Sequence, residues 1–163
     1  MKTLIIVRHA KSSWADPGMI DFDRPLNERG KKDAPEMAHR LLAHQLKVDL
    51  LVSSPAKRAR KTAKYFAEVL EFEQEAIVMV PELYHPHQDA ILQVVKSLPD
   101  EHKVAALFSH NPGVTEFINS LTELRVDHVP TCAVFAASFP VMHWNQLELG
   151  QGKFLFFEYP KGL

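Results

Sequence analysis

A single cysteine, Cys132, rules out any disulfide within the chain. That scarcity fits a reducing compartment, and the cytoplasm is the expected location. Long hydrophobic runs are also lacking. Near the N-terminus the apolar stretch Leu4–Val7 ends at Arg8. It is too short for the core of a secretory signal or for a membrane span, so no membrane association is expected. Nor is there a surplus of one charge: 19 Lys and Arg stand against 20 Asp and Glu, a formal net charge of −1. A chain so balanced is not expected to carry a broad nucleic-acid footprint, and any affinity for anions must come from local clustering. Repeats, low-complexity tracts and linker-like stretches are missing too.

What is present is an ordinary globular composition, 46% apolar and 24% charged over 163 residues. That is enough for one domain, residues 1–163, with a core that needs no staple. Leu4–Val7 reads as a buried parallel strand, all apolar and rich in β-branched residues. Residues 11–26 read as a loop. A helix is predicted over Glu28–His44, with Asn27 as N-cap and Ala34, Met37, Ala38, Leu41 and Leu42 at helical spacing; Pro35 should kink it or mark a late start. Asp49–Val52 is the next strand. Ser54-Pro55 then signals a helix start, with Ser as cap and Pro at the first helical position. Ile77–Val80 reads as a strand, Asp89–Leu98 as a helix, Val104–Phe108 as a strand, and Asn111-Pro112-Gly113 as the opening of a helix to Leu121. Cys132–Phe139 and Lys153–Tyr159 read as later strands, one of them antiparallel at an edge. The expected fold class is therefore α/β, a single three-layer α/β/α domain with a mostly parallel central sheet.

Three segments fall just past the carboxyl ends of apolar strands: Arg8-His9, Ser53-Ser54-Pro55-Ala56-Lys57-Arg58, and Ser109-His110-Asn111. In an open parallel sheet those ends share one edge, where ligands bind. A lone Arg-His pair is more often an exposed turn, and a lone histidine is more often a satisfied structural residue. Together, however, the segments place two histidines and two arginines at one edge. Arg58 also sits in the first turn of its helix, where positive charge opposes the helix dipole; the misfit makes sense if an anion lies there. Lys61 and Lys64 read as a solvated basic face. Such a set supports phosphoryl transfer, in which a neutral imidazole attacks phosphorus and its other nitrogen donates to a carbonyl. The arginines and the second imidazole neutralise the equatorial oxygens. The scheme needs no metal and no cofactor.

Other phosphoryl-handling signatures are missing. There is no glycine-rich nucleotide loop, no arginine six residues after Cys132 (Ser138 stands there), no HExxH and no paired CxxC. His85-Pro86-His87 reads as a surface loop rather than a metal ligand pair, and His39, His44, His102, His128 and His143 have no assigned role.

Four blocks in order then resemble a known family. Leu4-Ile5-Ile6-Val7-Arg8-His9-Ala10 is similar to the opening signature of the histidine phosphatase, or phosphoglycerate-mutase-like, superfamily. Arg24-Pro25-Leu26-Asn27-Glu28-Arg29-Gly30 resembles its second block. The stretch from Ser53 to Ala63 resembles the block with the phosphate-pocket arginine, and Ser109-His110-Asn111-Pro112 resembles the block with the second histidine. The short chain and Arg8-His9-Ala10-Lys11-Ser12-Ser13-Trp14 resemble the SixA type, the phosphohistidine phosphatases. The resemblance implies a phosphoglycerate-mutase-like fold, His9 as nucleophile, and Arg8, Arg58 and His110 as phosphate ligands. It also implies an acidic proton donor between the second histidine and the arginine block, for which Glu82, in Pro81-Glu82-Leu83-Tyr84, is the candidate. Lys11 and Ser12 are candidate phosphate or substrate contacts. Ala15 stands where mutase-type members carry an asparagine, which argues against mutase activity.

About 50 residues separate Arg58 from His110. Mutases and sugar phosphatases of the family tend to insert lid segments there, so an open site is expected here. The leading expectation is a metal-independent phosphatase acting on phosphohistidine in a phosphorylated protein, such as a histidine-containing phosphotransfer domain. A small-molecule phosphomonoesterase is the alternative within the enzyme class. A non-catalytic phosphate-binding module is the alternative outside it, with a receiver-like domain last because the strand ends are basic rather than acidic.

Overall fold

A computed structural model describes residues 1–160. Six strands form one sheet: β1 (Lys2–Arg8), β2 (Leu50–Ser53), β3 (Val78–Met79), β4 (Val104–Ser109), β5 (Val134–Phe139) and β6 (Lys153–Glu158), in the spatial order β3-β2-β4-β1-β5-β6. The neighbours β3, β2, β4 and β1 run parallel, and β5 pairs antiparallel with both β1 and β6. One strand is thus reversed, as expected, but it lies inside the sheet. The edge strand β6 runs with the parallel group because it is joined to β5 as an antiparallel neighbour.

Alternation along the strands divides the core. Leu4 and Ile6 of β1, with Leu50 and Val52 of β2, face one layer, built by α3 (Gln88–Lys96) and α4 (Gly113–Leu121). Ile5 and Val7, with Leu51, face the other, built by α1 (Glu28–Ala43) and α2 (Lys57–Val69). Both faces are covered, which is why the inner strands read as unbroken apolar runs. The result is a three-layer α/β/α domain with a mostly parallel mixed sheet. Among the described residues no helix is long and apolar enough to cross a membrane.

Several local expectations shift. Helix α1 runs through Pro35 and is capped by Asn27, whose side chain accepts from the Gly30 amide at 2.8 Å. Its proline gives up one backbone bond without ending the helix. A Cβ at Gly30 would collide with the Lys11 carbonyl, so this glycine lets the loop after His9 lie against the helix. Helix α2 begins at Lys57, later than Ser54-Pro55 predicts. Ser54 instead closes a turn, its Oγ accepting from the Ala56 amide at 3.2 Å. Strand β3 is only two residues long because its pairing with β2 is confined to Val52 and Ser53. The loop over residues 11–26 contains a short 3-10 turn, Asp21–Asp23, and an isolated bridge between Ser12 and Leu26.

Candidate active site

Register places the site. β1 and β4 align Arg8 opposite Ser109, and the His9 amide donates to the Ser109 carbonyl at 3.1 Å. The Ser54 amide donates to the Phe108 carbonyl at 2.9 Å. The ends of β2, β4 and β1 therefore stand side by side, and His9, Arg58 and His110 are all buried there, at 6%, 3% and 1% exposure. The His9 and His110 rings lie 5.0 Å apart between centroids. These residues line a cavity of about 290 Å³ together with Arg8, Lys11, Ser12, Trp14, Asp21, Arg24, His85, Asn111 and Thr131.

His9 has a defined tautomer. Its Nδ1 lies 2.7 Å from the Ala10 carbonyl, an acceptor, so Nδ1 carries the proton and Nε2 keeps its lone pair. Burial pushes the ring down to about 3, against the raising effect of that hydrogen bond; Arg58, Arg8 and Arg24 push it the same way as burial. His110 is driven to about 2, again first by burial and then by His9, Arg58 and His85. Both rings are neutral at neutral pH. His110 Nε2 meets Ser54 Oγ at 2.8 Å.

The loop carrying His9 is pinned from two sides. Thr62 Oγ1 accepts from the Ala10 amide at 2.9 Å and donates to the Arg58 carbonyl at 2.8 Å, tying β1's exit to α2. The Cys132 amide donates to the Arg8 and His9 carbonyls at 3.0 Å each, with the Cys132 backbone in the left-handed region at φ 62°. Burial pushes the Cys132 thiol up, so it stays protonated and inert.

The arginines are held differently. Arg8 Nη1 donates to the Val129 carbonyl at 3.0 Å and to His128 Nε2 at 3.2 Å, using both of its hydrogens. Arg8 Nε is buried without a protein partner, and so is His110 Nδ1. Leaving such an atom unpaired costs about 1–3 kcal/mol, a cost that a hydrogen-bonding ligand in the cavity would offset. Arg58 Nη1 donates to the Asp21 carbonyl at 2.8 Å and Nη2 to Asp21 Oδ2 at 3.0 Å. Asp21 is a hub: it also accepts from Tyr84 Oη at 2.7 Å, His85 Nε2 at 3.0 Å and Arg24 Nη1 at 3.1 Å. Burial alone would raise its carboxyl, but the hydrogen bonds from Tyr84, Arg58 and Arg24 prevail and hold it below the usual carboxylate range. Arg24 reaches Ser12 Oγ at 2.5 Å and stacks over the exposed Trp14 ring, 3.3 Å from its centroid.

Of the sequence-predicted residues, Arg8, His9, Lys11, Ser12, Arg58 and His110 come together in the cavity. Glu82 does not: it is exposed on a 3-10 turn and lies outside the lining. Asp21, Arg24, Thr62, Tyr84, His85 and His128 enter the site or its support with no role expected of them, and His85, expected on a plain surface loop, lies on the cavity wall. Among the described residues no group of three or more His, Cys, Asp or Glu side chains is placed to hold a metal ion.

Comparisons with known proteins bear on the family and the fold. The model of the histidine phosphatase superfamily (branch 1) matches residues 4–85. Phosphoserine phosphatase 1 of Hydrogenobacter thermophilus is 35% identical over 107 residues, 63% of this chain and 50% of its own. The chain spans about half, or less, of the length of the curated relatives it matches at 35% identity or more. In fold, SixA from Agrobacterium tumefaciens superposes with a TM-score of 0.82 at 24% identity, covering 98% of this chain and 99% of its own. The protein histidine phosphatase SixA complexed with tungstate superposes with a TM-score of 0.79 at 20% identity, covering 95% of each chain.

Proposed function

The chain belongs to the histidine phosphatase superfamily, branch 1, and from that premise we propose that it is a phosphatase that carries the phosphoryl group on His9 and acts on phosphohistidine in a protein. The observation that carries this reading is the His9 Nδ1–Ala10 hydrogen bond, which leaves a neutral imidazole with a free Nε2 lone pair inside a cavity lined by cations. Nε2 attacks phosphorus and displaces the substrate's leaving group. Water then hydrolyses the phosphohistidine. Arg8 presents its Nε–Nη2 edge to two phosphate oxygens, since Nη1 is already occupied. Arg58 has three of its five N–H donors left after Asp21 takes two. With the Ser54 hydroxyl donating to Nε2, His110 holds its proton on Nδ1 and donates it to a third oxygen. These donors stabilise charge on the phosphoryl oxygens. Lys11 and Ser12 stand on the wall where substrate contacts form. No step calls for a metal or a cofactor.

The protein substrate is supported by what lies between Arg58 and His110. That stretch builds α2, β3, α3 and β4, all parts of the sheet and its layers. The cavity holds a phosphoryl group with a small attachment, and the rest of the substrate lies outside it. A histidine-containing phosphotransfer domain fits, and the cytoplasm is the compartment we propose. The likeness to a phosphoserine phosphatase favours a second reading, a small phosphate ester as substrate.

The test is phosphate release over time from a phosphohistidine protein and from p-nitrophenyl phosphate, each with wild type and His9→Ala. Preference for the protein, lost in the variant, is the expected result. Preference for the ester with the same dependence on His9 moves the enzyme to the metabolite branch, and near-full activity of His9→Ala overturns the covalent mechanism.

A further inference from the structure

Hydrolysis through His9 needs a proton for the departing group and a base for the attacking water, and Glu82 is outside the cavity. Three residues further along the chain, His85 is on the cavity wall. Its ring lies 5.7 Å from the His110 ring and 4.2 Å from the Tyr84 ring, centroid to centroid. Its Nε2 donates to Asp21 Oδ2 at 3.0 Å, while no protein group bonds its Nδ1 among the described residues. The carboxylate thus fixes one nitrogen and leaves the other for the substrate, the arrangement by which a carboxylate orients a catalytic imidazole elsewhere.

Backbone geometry adds a second observation. His85 is in the left-handed region at φ 48°. Few residues without a glycine's freedom sit there, and backbone held in this way gathers at functional sites. The turn is braced behind: the next residue, Pro86, packs its carbonyl against Gly113 so closely that a Cβ there would collide. Asp21 is poorly suited to give a proton itself, since it is an anion accepting from Tyr84, Arg58, Arg24 and His85.

We propose that His85, oriented by Asp21, protonates the leaving group and then takes a proton from the attacking water. This rests on the reading of the site as a phosphatase that acts through His9. His85 enters the cycle protonated on both nitrogens. As His9 Nε2 bonds to phosphorus, the bond from phosphorus to the substrate's nitrogen or oxygen breaks, and that atom takes the proton from His85 Nδ1. In the second half His85 Nδ1 takes a proton from water, the water oxygen bonds to phosphorus, and the P–N bond to His9 breaks. Phosphate leaves and both histidines return to their starting states. Asp21 is a positioning residue here, since it acts through His85.

The experiment compares leaving groups. p-Nitrophenolate departs without a proton, whereas phenolate needs one. Rates on p-nitrophenyl phosphate and phenyl phosphate are measured for wild type, His85→Asn, Asp21→Asn and Glu82→Gln, with thermal unfolding to confirm each fold. Asparagine tolerates the left-handed backbone, so His85→Asn keeps the turn. It should lower the phenyl phosphate rate about 100-fold and the p-nitrophenyl phosphate rate only a few-fold. Asp21→Asn should move the ratio the same way by a smaller factor, and Glu82→Gln should leave it unchanged. Equal loss on both esters in His85→Asn, no loss on either, or a changed ratio in Glu82→Gln alone overturns the proposal. His9→Ala reports separately on the underlying reading: it should abolish both rates, whatever His85 does.

Discussion

His128 Nε2 accepts a hydrogen bond from Arg8 Nη1 at 3.2 Å. A guanidinium has no acceptor, so the imidazole must receive, with its own proton on Nδ1. With Nη1 engaged in this way, the Nε–Nη2 edge is the part of Arg8 left for the phosphate in the proposed cycle. His128→Ala should raise KM for a phosphate ester about three- to tenfold, the loss of one solvent-exposed hydrogen bond, about 1 kcal/mol. The effect on kcat should be smaller. Steady-state kinetics decides it, and an unchanged KM would show that Val129 alone holds the arginine.

Thr62→Val tests the tie between β1 and α2. Valine keeps the shape but orphans the buried Ala10 amide, which costs about 1–3 kcal/mol. For a chain of this size that lowers Tm by roughly 2–12 °C. Because the Ala10 carbonyl sets the His9 tautomer, kcat should fall with it. Calorimetry together with a rate assay checks both, and a variant with wild-type Tm and kcat would show that Cys132 suffices to fix the loop.

Acid should destabilise the fold early. His9 and His110 sit near 3 and 2 when folded, against about 6.5 when unfolded. Between those limits the unfolded chain binds more protons, so stability falls as pH falls below about 6.5. Each ring contributes a slope of up to about 1.4 kcal/mol per pH unit. Asp21, held low by its partners, adds loss in the same direction only at more acid pH, below the ordinary carboxylate value. Urea midpoints measured from pH 7 to pH 4 should drop steeply, and His9→Asn should flatten the curve. A midpoint independent of pH in that window would mean that the rings are not buried in the neutral form.

Gly30→Ala should destabilise the protein by more than the helix propensity of alanine can return, about 1 kcal/mol. The added methyl meets the Lys11 carbonyl, so the loop after His9 must shift. Reduced Tm together with a raised KM is the expected signature, and a stabilised variant would contradict the close approach.

Much of this arrangement is legible in the sequence for a physical reason. Buried parallel strands must be apolar throughout, so Arg8, Ser53 and Ser109 stand out at the ends of β1, β2 and β4, and the parallel topology brings them to one edge. Asp21, His85 and His128 were not legible. They reach the site through loops whose paths local propensity does not determine, and isolated histidines carry no pattern. Ser54 misled as a helix cap because its hydroxyl serves a turn and His110 instead. Glu82 misled because position along the chain says nothing of which way a 3-10 turn faces; the turn is two residues short of His85.

Strand β1 lies between β4 and β5, which begin about 100 and 130 residues later in the chain. Strand β1 is therefore made well before either of its sheet neighbours, and such long-range pairing is slow to form. His9 acquires its neighbours only when β4 and β5 have closed on either side of it. Assembly of the His9 cluster is then a late event in folding. A nascent or truncated chain that stops short of β4 has the Arg8-His9 pair but lacks His110 beside it, so the turnover proposed for this site would report a completed sheet.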